Sequence, residues 1–220
     1  MTGATSRSSR PRHPRLLAAA ITVAALIAAG CEGRPHDTTS ATAPSSSQPT
    51  SGEAPPGGAL ARAEAAAKKL GGSLRTRLTD AINQGGAPGA VRVCAEQAPE
   101  IAAAIQRETG VSVGRASLRQ RNPANAPPAW VATWLTAQGE RKAEGAAGMS
   151  AIVDTEKGRM ARVIKPIAIE AACLGCHGDR AALSPEVKAV LEARYPSDRA
   201  TGYAIGDLRG ALWAEVPAGG

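Results

Sequence analysis

Two stretches in the middle of the chain place apolar residues at the spacing of a helix. Residues 59–84, "ALARAEAAAKKLGGSLRTRLTDAINQ", carry leucines and an isoleucine at roughly helical intervals, which predicts an amphipathic helix. Gly71 and Gly72 are expected to break or bend it. Residues 88–110, "PGAVRVCAEQAPEIAAAIQRETG", predict a second helix that ends at its last glycine, with a kink or a split at Pro99.

The second half of the chain shows patterns typical of strands. Residues 111–118 favour one strand, and the two apolar runs around "EKG" in residues 150–169 favour a hairpin. Helices are predicted over residues 129–145 and over residues 184–195, where a serine precedes a proline. Residues 201–217 predict a closing pair of strands with a glycine-rich bend. Helices followed by a small antiparallel sheet predict an α+β fold.

The N-terminal pattern is that of an export signal. Residues 16–30, "LLAAAITVAALIAAG", form an apolar run that is too short to span a bilayer comfortably. Arginines without any acidic residue precede it, as in a secretory signal. "LIAAGC" ends at Cys31 and resembles a bacterial lipobox, so we expect residues 1–30 to be removed and Cys31 to be lipidated. The alternative is a plain signal peptide that is cut nearby.

The next segment lacks the apolar residues that a fold needs. Residues 32–58 are mostly Ser, Thr, Pro and Gly, and such a composition cannot bury enough surface to offset the entropy of ordering. We therefore expect residues 31–58 to be a lipidated cysteine followed by a disordered tether. The folded domain is expected over residues 59–220.

Composition and charge narrow the classes of partner. Aromatic residues make up 2% of the chain and Phe is absent, so a large apolar cofactor would add substantially to an aliphatic core. The formal net charge is +7. Removal of residues 1–30 takes away four arginines and no acid, which leaves 22 basic against 19 acidic residues, or +3. A mild charge of this kind gives no reason to expect a nucleic-acid partner.

Residues 173–178, "CLGCHG", carry the most specific motif in the chain. A structural zinc site needs four ligands, usually from two such pairs, and the remaining candidates Cys31, Cys94 and His36 are scattered. A redox dithiol of the thioredoxin type would need a βαβ setting that the chain does not predict. The spacing C-x-x-C-H is the attachment signal for c-type haem.

The haem interpretation also fits the export signal, because such attachment takes place outside the cytoplasm. It predicts one haem c per chain, bound through thioethers to Cys173 and Cys176. His177 would be the proximal ligand of the haem iron. A sixth ligand is then left open among His36, Met149, Met160, Cys94, a lysine and water.

Met149 or Met160 would resemble the ligation of ordinary electron carriers. Cys94 is the odd thiol once the other three cysteines have been assigned. The simpler interpretation of Cys94 is a buried, inert thiol on an apolar helix face. The residues alone leave these alternatives open.

Four motifs in sequence order connect the chain with a known family. The chain resembles the Tll0287-like (DUF3365) haem domains over roughly residues 60–216, and one departure is Val131, where family members often carry an acid. The motifs are "VCAEQAPEIA" (93–102), "GRASLRQRNPANAPPAW" (114–130), "CLGCHG" (173–178) and "YPSDRATGYAIGDLRGAL" (195–212).

The resemblance implies a PAS-like antiparallel sheet with flanking N-terminal helices that enclose a covalent haem. It also implies His/Cys axial ligation, with His177 on one side and Cys94, in the motif Cys-x-x-x-x-Pro, as the distal ligand. A thiolate ligand stabilises ferric iron, so the reduction potential should be low compared with that of a His/Met haem.

Other residues near these motifs are weaker candidates for haem contacts. Arg115, Arg119 and Arg121 can pair with haem propionates through the planar guanidinium fork, and the alternative is a solvated basic loop. Tyr195 and Tyr203 are candidates to line the haem edge, although tyrosine also packs readily in small cores.

The sequence therefore predicts an exported monohaem cytochrome domain, lipid-anchored on the periplasmic side of a bacterial membrane. Inner and outer membrane are left open. We expect a redox or ligand sensor that acts on a separate redox or signalling protein. The alternative is an electron-transfer lipoprotein. We expect no enzymatic activity, because peroxidase-like chemistry would need a distal acid–base residue and no histidine is available for it.

Overall fold

The computed structural model describes residues 56–139 and 141–219 of the chain. The predicted signal peptide, Cys31, His36 and nearly all of the predicted tether lie outside these residues. Within the described part, no helix is both long and apolar enough to cross a membrane. The predictions about export and anchoring therefore stay predictions.

The N-terminal part of the fold is a helical hairpin. Helix α1 spans Pro56–Thr109 and leaves helical geometry only at Gly85 and Gly86. Gly86 has a φ of 60°, in the left-handed region that glycine adopts without steric cost. A Lys69–Glu108 ion pair of 2.5 Å joins residues 39 positions apart. The first arm (56–84) and the second arm (87–109) therefore run antiparallel.

The interruption at Gly85 and Gly86 falls between the two predicted helices, 59–84 and 88–110, as expected. The prediction of a break at Gly71 and Gly72 is wrong, because helical geometry continues through both. A Cβ at position 71 would lie 2.8 Å from Leu212 Cδ1, so this glycine permits close packing of the first arm. The predicted split at Pro99 is also absent, since the helix runs on to Thr109.

A four-stranded antiparallel sheet forms the second layer. Its strand order is β1-β4-β3-β2, and β2 and β3 are the predicted hairpin. The predicted strand pair at the C-terminus is wrong, because residues 208–217 form one central strand. That strand bonds to β1 on one side and to β3 on the other. The strands are β1 (Ser112–Ala116), β2 (Met149–Thr155), β3 (Gly158–Ala168) and β4 (Leu208–Pro217).

Three shorter α-helices complete the described part of the fold. They are α2 (Ala129–Gln138), α3 (Leu174–His177) and α4 (Pro185–Arg194). Helix α4 begins as predicted, because the Ser184 hydroxyl accepts a hydrogen bond from the Val187 N–H at 3.3 Å. Helix α2 ends at Gln138, earlier than the predicted helix over residues 129–145.

The main core lies between the first arm of α1 and the sheet. The helix contributes small side chains and Leu70, and the sheet contributes Val163, Ala214 and Val216, all at most 2% exposed. Small residues let helix and sheet approach closely, as the aliphatic composition predicts. The α+β class is confirmed as helices packed on an open antiparallel sheet, while the PAS-like form and the enclosure of a haem stay predictions.

A glycine at the start of β4 brings two strands unusually close. The register between β3 and β4 shifts at Ile167 and Ala168. A Cβ at Gly210, nearby on β4, would lie 2.2 Å from the Ala116 carbonyl oxygen, so only glycine fits there. This irregularity places Arg209 and Gly210 at the wall of a cavity.

Candidate functional site

A cavity lies between the α1 hairpin, one end of the sheet and the C-x-x-C-H segment. It is partly open to solvent and has a volume of about 210 Å³. Cys94, Cys173, Cys176 and His177 all line it. The fold therefore brings together four candidate residues from two segments that are about 80 residues apart in sequence.

The methionine alternatives lie elsewhere. Met149 packs beside a cluster that includes Val131 and Ile164, and Met160 is a buried residue of β3. Neither residue lines the cavity that holds His177. Among the candidate sulfur ligands, the structure therefore places Cys94 in the same cavity as His177 and places the methionines outside it.

The C-x-x-C-H segment begins just after β3. A 3₁₀ turn, Ala171–Cys173, leads directly into α3, so the two thiols lie three residues apart on one helical turn. The Cys173 sulfur accepts from the Glu170 N–H at 3.4 Å. The Cys176 thiol donates to the Ala87 carbonyl at 3.8 Å, and burial raises its pKa.

The His177 ring is held by one hydrogen bond. Its Nδ1 lies 2.7 Å from the Ala200 carbonyl oxygen, and because a carbonyl can only accept, Nδ1 must carry the proton. Burial, followed by the charges of Arg121 and Arg209, lowers the pKa of His177 to about 3. The imidazole is therefore neutral with an unprotonated Nε2, which is the form that binds metals.

Cys94 lies on the second arm of α1, next to an arginine of β1. Arg115 donates to the Cys94 carbonyl oxygen at 3.4 Å, and its other terminal nitrogen lies 4.0 Å from Cys94 Sγ. The three cysteines of the described residues form no disulfide. Their sulfur atoms are thus available for other bonds.

Three arginines and one tyrosine line the cavity with these residues. Arg115, Arg121 and Tyr195 were candidates from the sequence. Arg209 was missed, although it lies inside the motif "GYAIGDLRG", and burial lowers its pKa. Burial likewise raises the pKa of Tyr195.

Two other candidates lie just outside the cavity lining. Tyr203 stands edge-on to the His177 ring, with 6.3 Å between ring centroids. Arg119 is exposed and stacks over the Tyr203 ring at 3.9 Å. Tyr203 therefore packs edge-on against the His177 ring, and neither Tyr203 nor Arg119 lines the cavity.

Comparison with known proteins identifies the family. The model of a family described as "Tll0287-like: Tll0287" matches residues 35–217, which is most of the chain. The chain belongs to the Tll0287-like family. The resemblance seen in the four sequence motifs is thereby confirmed.

A solved member with the family's name gives a structural comparison. It is titled "Crystal structure of the cyanobacterial heme-protein Tll0287" and is 27% identical, with a TM-score of 0.46. The likeness covers 55% of this chain and 70% of that chain. No curated protein matches the chain.

The donor set of the cavity in this Tll0287-like chain can be tested against candidate groups. Across residues 56–139 and 141–219, no cluster of three or more His, Cys, Asp or Glu side chains is arranged to hold a bare metal ion. Two neighbouring thiols, a neutral imidazole with a free Nε2 and an apolar wall with arginines instead fit a covalently attached haem with anionic side groups.

Proposed function

We propose that this chain is a monohaem c-type cytochrome domain of the Tll0287-like family. In this proposal Cys173 and Cys176 form the thioether bonds, His177 is the proximal ligand and Cys94 is the distal ligand. The proposal is carried by one observation, which is that all four side chains line a single cavity. When bound, the haem supplies a reversible one-electron iron couple.

The residues around the cavity have defined roles in this proposal. His177 offers Nε2 to the iron, because Nδ1 is committed to the Ala200 carbonyl. Cys94 would supply a thiolate when bound to the iron, and such a ligand favours the ferric state and lowers the reduction potential. Arg115 lies beside that sulfur and, with Arg209, faces the cavity, where arginine can pair with propionate groups.

We further propose that the domain is a redox or ligand sensor with a PAS-like form that encloses the haem. It is exported, anchored through lipidated Cys31 and tethered on the periplasmic side of the membrane, with no enzymatic activity. A sensor of this kind would pass its signal to a separate protein partner. Support comes from the position of Cys94 in the cavity with His177, since a cysteine ligand that left the iron on reduction would make room for an external ligand.

An electron-transfer lipoprotein is the second candidate. The cavity is partly open to solvent, and a haem edge exposed there would favour exchange of electrons with a redox partner. The two functions differ in whether the distal ligand stays bound in both oxidation states.

The test is spectroscopy of the purified full chain with its haem. We expect a low-spin thiolate signature in the electron paramagnetic resonance spectrum, and an absorption spectrum that shows ligand change on reduction. Cys94→Ala and Cys94→Met should retain covalent haem, with altered ferric spectra and raised potentials. Met149→Leu and Met160→Leu serve as controls that should match the wild type.

Each outcome separates the candidates. A chain without covalent haem would refute the cytochrome assignment. Unchanged ferric spectra in both Cys94 variants would remove thiolate ligation. A thiolate signature that persists unchanged in the reduced state would favour the electron carrier over the sensor.

A further inference from the structure

A buried ion pair contacts the C-x-x-C-H segment. Arg121 Nε donates to Asp198 Oδ2 at 3.1 Å, and the side chains are 9% and 2% exposed. Arg121 comes from the loop after β1, and Asp198 comes from the loop after α4. The pair therefore ties together two loops that are distant in sequence, at the side of the cavity where His177 lies.

The donors of Arg121 are largely committed to the protein. Besides Asp198, its Nη2 atom donates to the carbonyl oxygens of Cys176 and Ala200. A guanidinium has five N–H donors, so only those on Nη1 have no acceptor among these partners. The prediction that Arg121 pairs with haem propionates stays a prediction, and Nη1 is the nitrogen left for such a pair.

Both oxygens of Asp198 are used as well. Asp198 Oδ1 accepts from the Ala200 N–H at 2.7 Å, while Oδ2 accepts from Arg121. The peptide unit on each side of Ala200 is thus fixed, with the N–H held by Asp198. The carbonyl of Ala200 is shared by Arg121 Nη2 at 3.3 Å and His177 Nδ1 at 2.7 Å.

We propose that Arg121 and Asp198 are positioning residues that set the Ala200 carbonyl against His177 Nδ1. They thereby fix the tautomer and the orientation of the imidazole. The proposal rests on the proposed function for its purpose, because an oriented imidazole serves a metal bound at Nε2. The Arg121 bond to the Cys176 carbonyl extends the same clamp to the residue before His177.

The clamp also has a consequence for the electronic state of the ligand. A hydrogen bond from Nδ1 to a carbonyl makes the imidazole a stronger donor, which favours the ferric state. Loss of the clamp should therefore raise the reduction potential of the haem. Because removal of one charge would by itself shift the potential, the variants that keep the net charge of the pair carry this readout.

The experiment compares wild type with three variants of the full chain. Asp198→Asn keeps the shape of the side chain but turns one acceptor into a donor against Arg121. Arg121→Lys keeps the positive charge but loses the planar set of N–H donors of the guanidinium. The double variant Arg121→Gln with Asp198→Asn removes both charges together, so that no lone charge is left buried.

Two readouts are measured. In the haem-loaded chain, redox titration should give a higher potential for each variant than for the wild type. In the chain produced without haem attachment, ¹⁵N-histidine NMR should show His177 as the Nδ1–H tautomer in the wild type and as a mixture in the variants. The three histidines of the chain are assigned with His177→Gln.

The matched controls are Asp179→Asn and Arg180→Lys, both at exposed side chains. Asp179 accepts a backbone N–H two residues ahead, from Ala181 at 3.0 Å, as Asp198 does from Ala200, but it is exposed. Both controls should keep the wild-type potential and tautomer.

Variants with the wild-type potential and a single tautomer would overturn the clamp. Variants that shift no further than the controls would overturn it as well. A wild-type chain that carries no covalent haem would instead refute the proposed function, and the tautomer measurement would still decide the clamp. Thermal unfolding of each variant identifies loss of fold. If a single variant does not fold, the double variant is the one that tests the clamp.

Discussion

Gly71 and Gly72 are adjacent on the first arm of α1, yet they should respond in opposite ways to a methyl group. A Cβ at position 72 would meet nothing within 4 Å. A Cβ at position 71 would lie 2.8 Å from Leu212 Cδ1 on β4. The pair therefore tests both the continuity of the helix and its close contact with the sheet.

The magnitudes follow from two opposing effects. Alanine in place of glycine inside a helix stabilises it by about 1 kcal/mol, and Gly72→Ala should realise most of this gain. Gly71→Ala should receive the same gain but lose about 1–3 kcal/mol to overpacking. Because the atom in the way is the end of a flexible side chain, the loss should lie near the lower limit. Gly71→Ala is thus expected to be neutral or destabilising.

Urea and thermal unfolding of the full chain measure the difference. A domain of this size shifts its Tm by roughly 2–4 °C per kcal/mol, so Gly72→Ala should raise Tm by about that amount and Gly71→Ala should not. In a double-mutant cycle, Gly71→Ala should be more stabilising in a Leu212→Ala background than in the wild type, because the atom that it would meet is gone. Equal stabilisation by both alanines would refute the close contact. Destabilisation by Gly72→Ala would refute the continuous helix.

Two predictions concern the cavity. In the haem-free chain, His177 has a folded pKa of about 3 against an ordinary value of 6.5, so the unfolded state binds more protons between these values. Stability should therefore fall as pH drops through this window, by up to about 1.4 kcal/mol per pH unit. Urea unfolding above and below pH 6.5 checks this, and a His177→Gln chain with the same slope would contradict it. In the haem-loaded chain, Arg209→Gln should lower the reduction potential by on the order of tens of millivolts, because a half-buried cation disfavours the ferric state. The exposed Arg119→Gln is the control in a redox titration, and equal shifts in the two variants would exclude a specific role for Arg209.

Local sequence patterns were sufficient to predict most of the helices and one hairpin. The two arms of α1, the strands of the β2–β3 hairpin and α4 with its Ser184 cap all depend on residues within a few positions of one another. Such elements can be read from periodicity and capping. The α+β class followed from their order along the chain.

The errors in the fold concern contacts between distant segments. The predicted break at Gly71 and Gly72 was wrong, and the close contact that Gly71 permits is with Leu212 of β4, a segment far along the chain. The C-terminal strand is central because β1 and β3 flank it, and β1 lies about 100 residues earlier. Neither partner is visible from the residues around the element itself.

The same distinction between local patterns and distant contacts applies to the candidate site. The sequence by itself determined the C-x-x-C-H motif, its spacing and the family resemblance, because these depend only on neighbouring residues. Arg209 and Asp198 both lie inside the fourth family motif (195–212), but the neighbouring residues did not single out either of them.

Only the tertiary structure decided which distant groups meet. It placed Cys94, rather than Met149 or Met160, in the cavity with His177, and it committed Arg121 to Asp198 and to the carbonyls behind the ring. The physical reason is that chain spacing sets the geometry within one helical turn, while a cavity is formed by the packing of a helical hairpin against a sheet. The partners across that cavity follow from this packing and from the glycines that allow it.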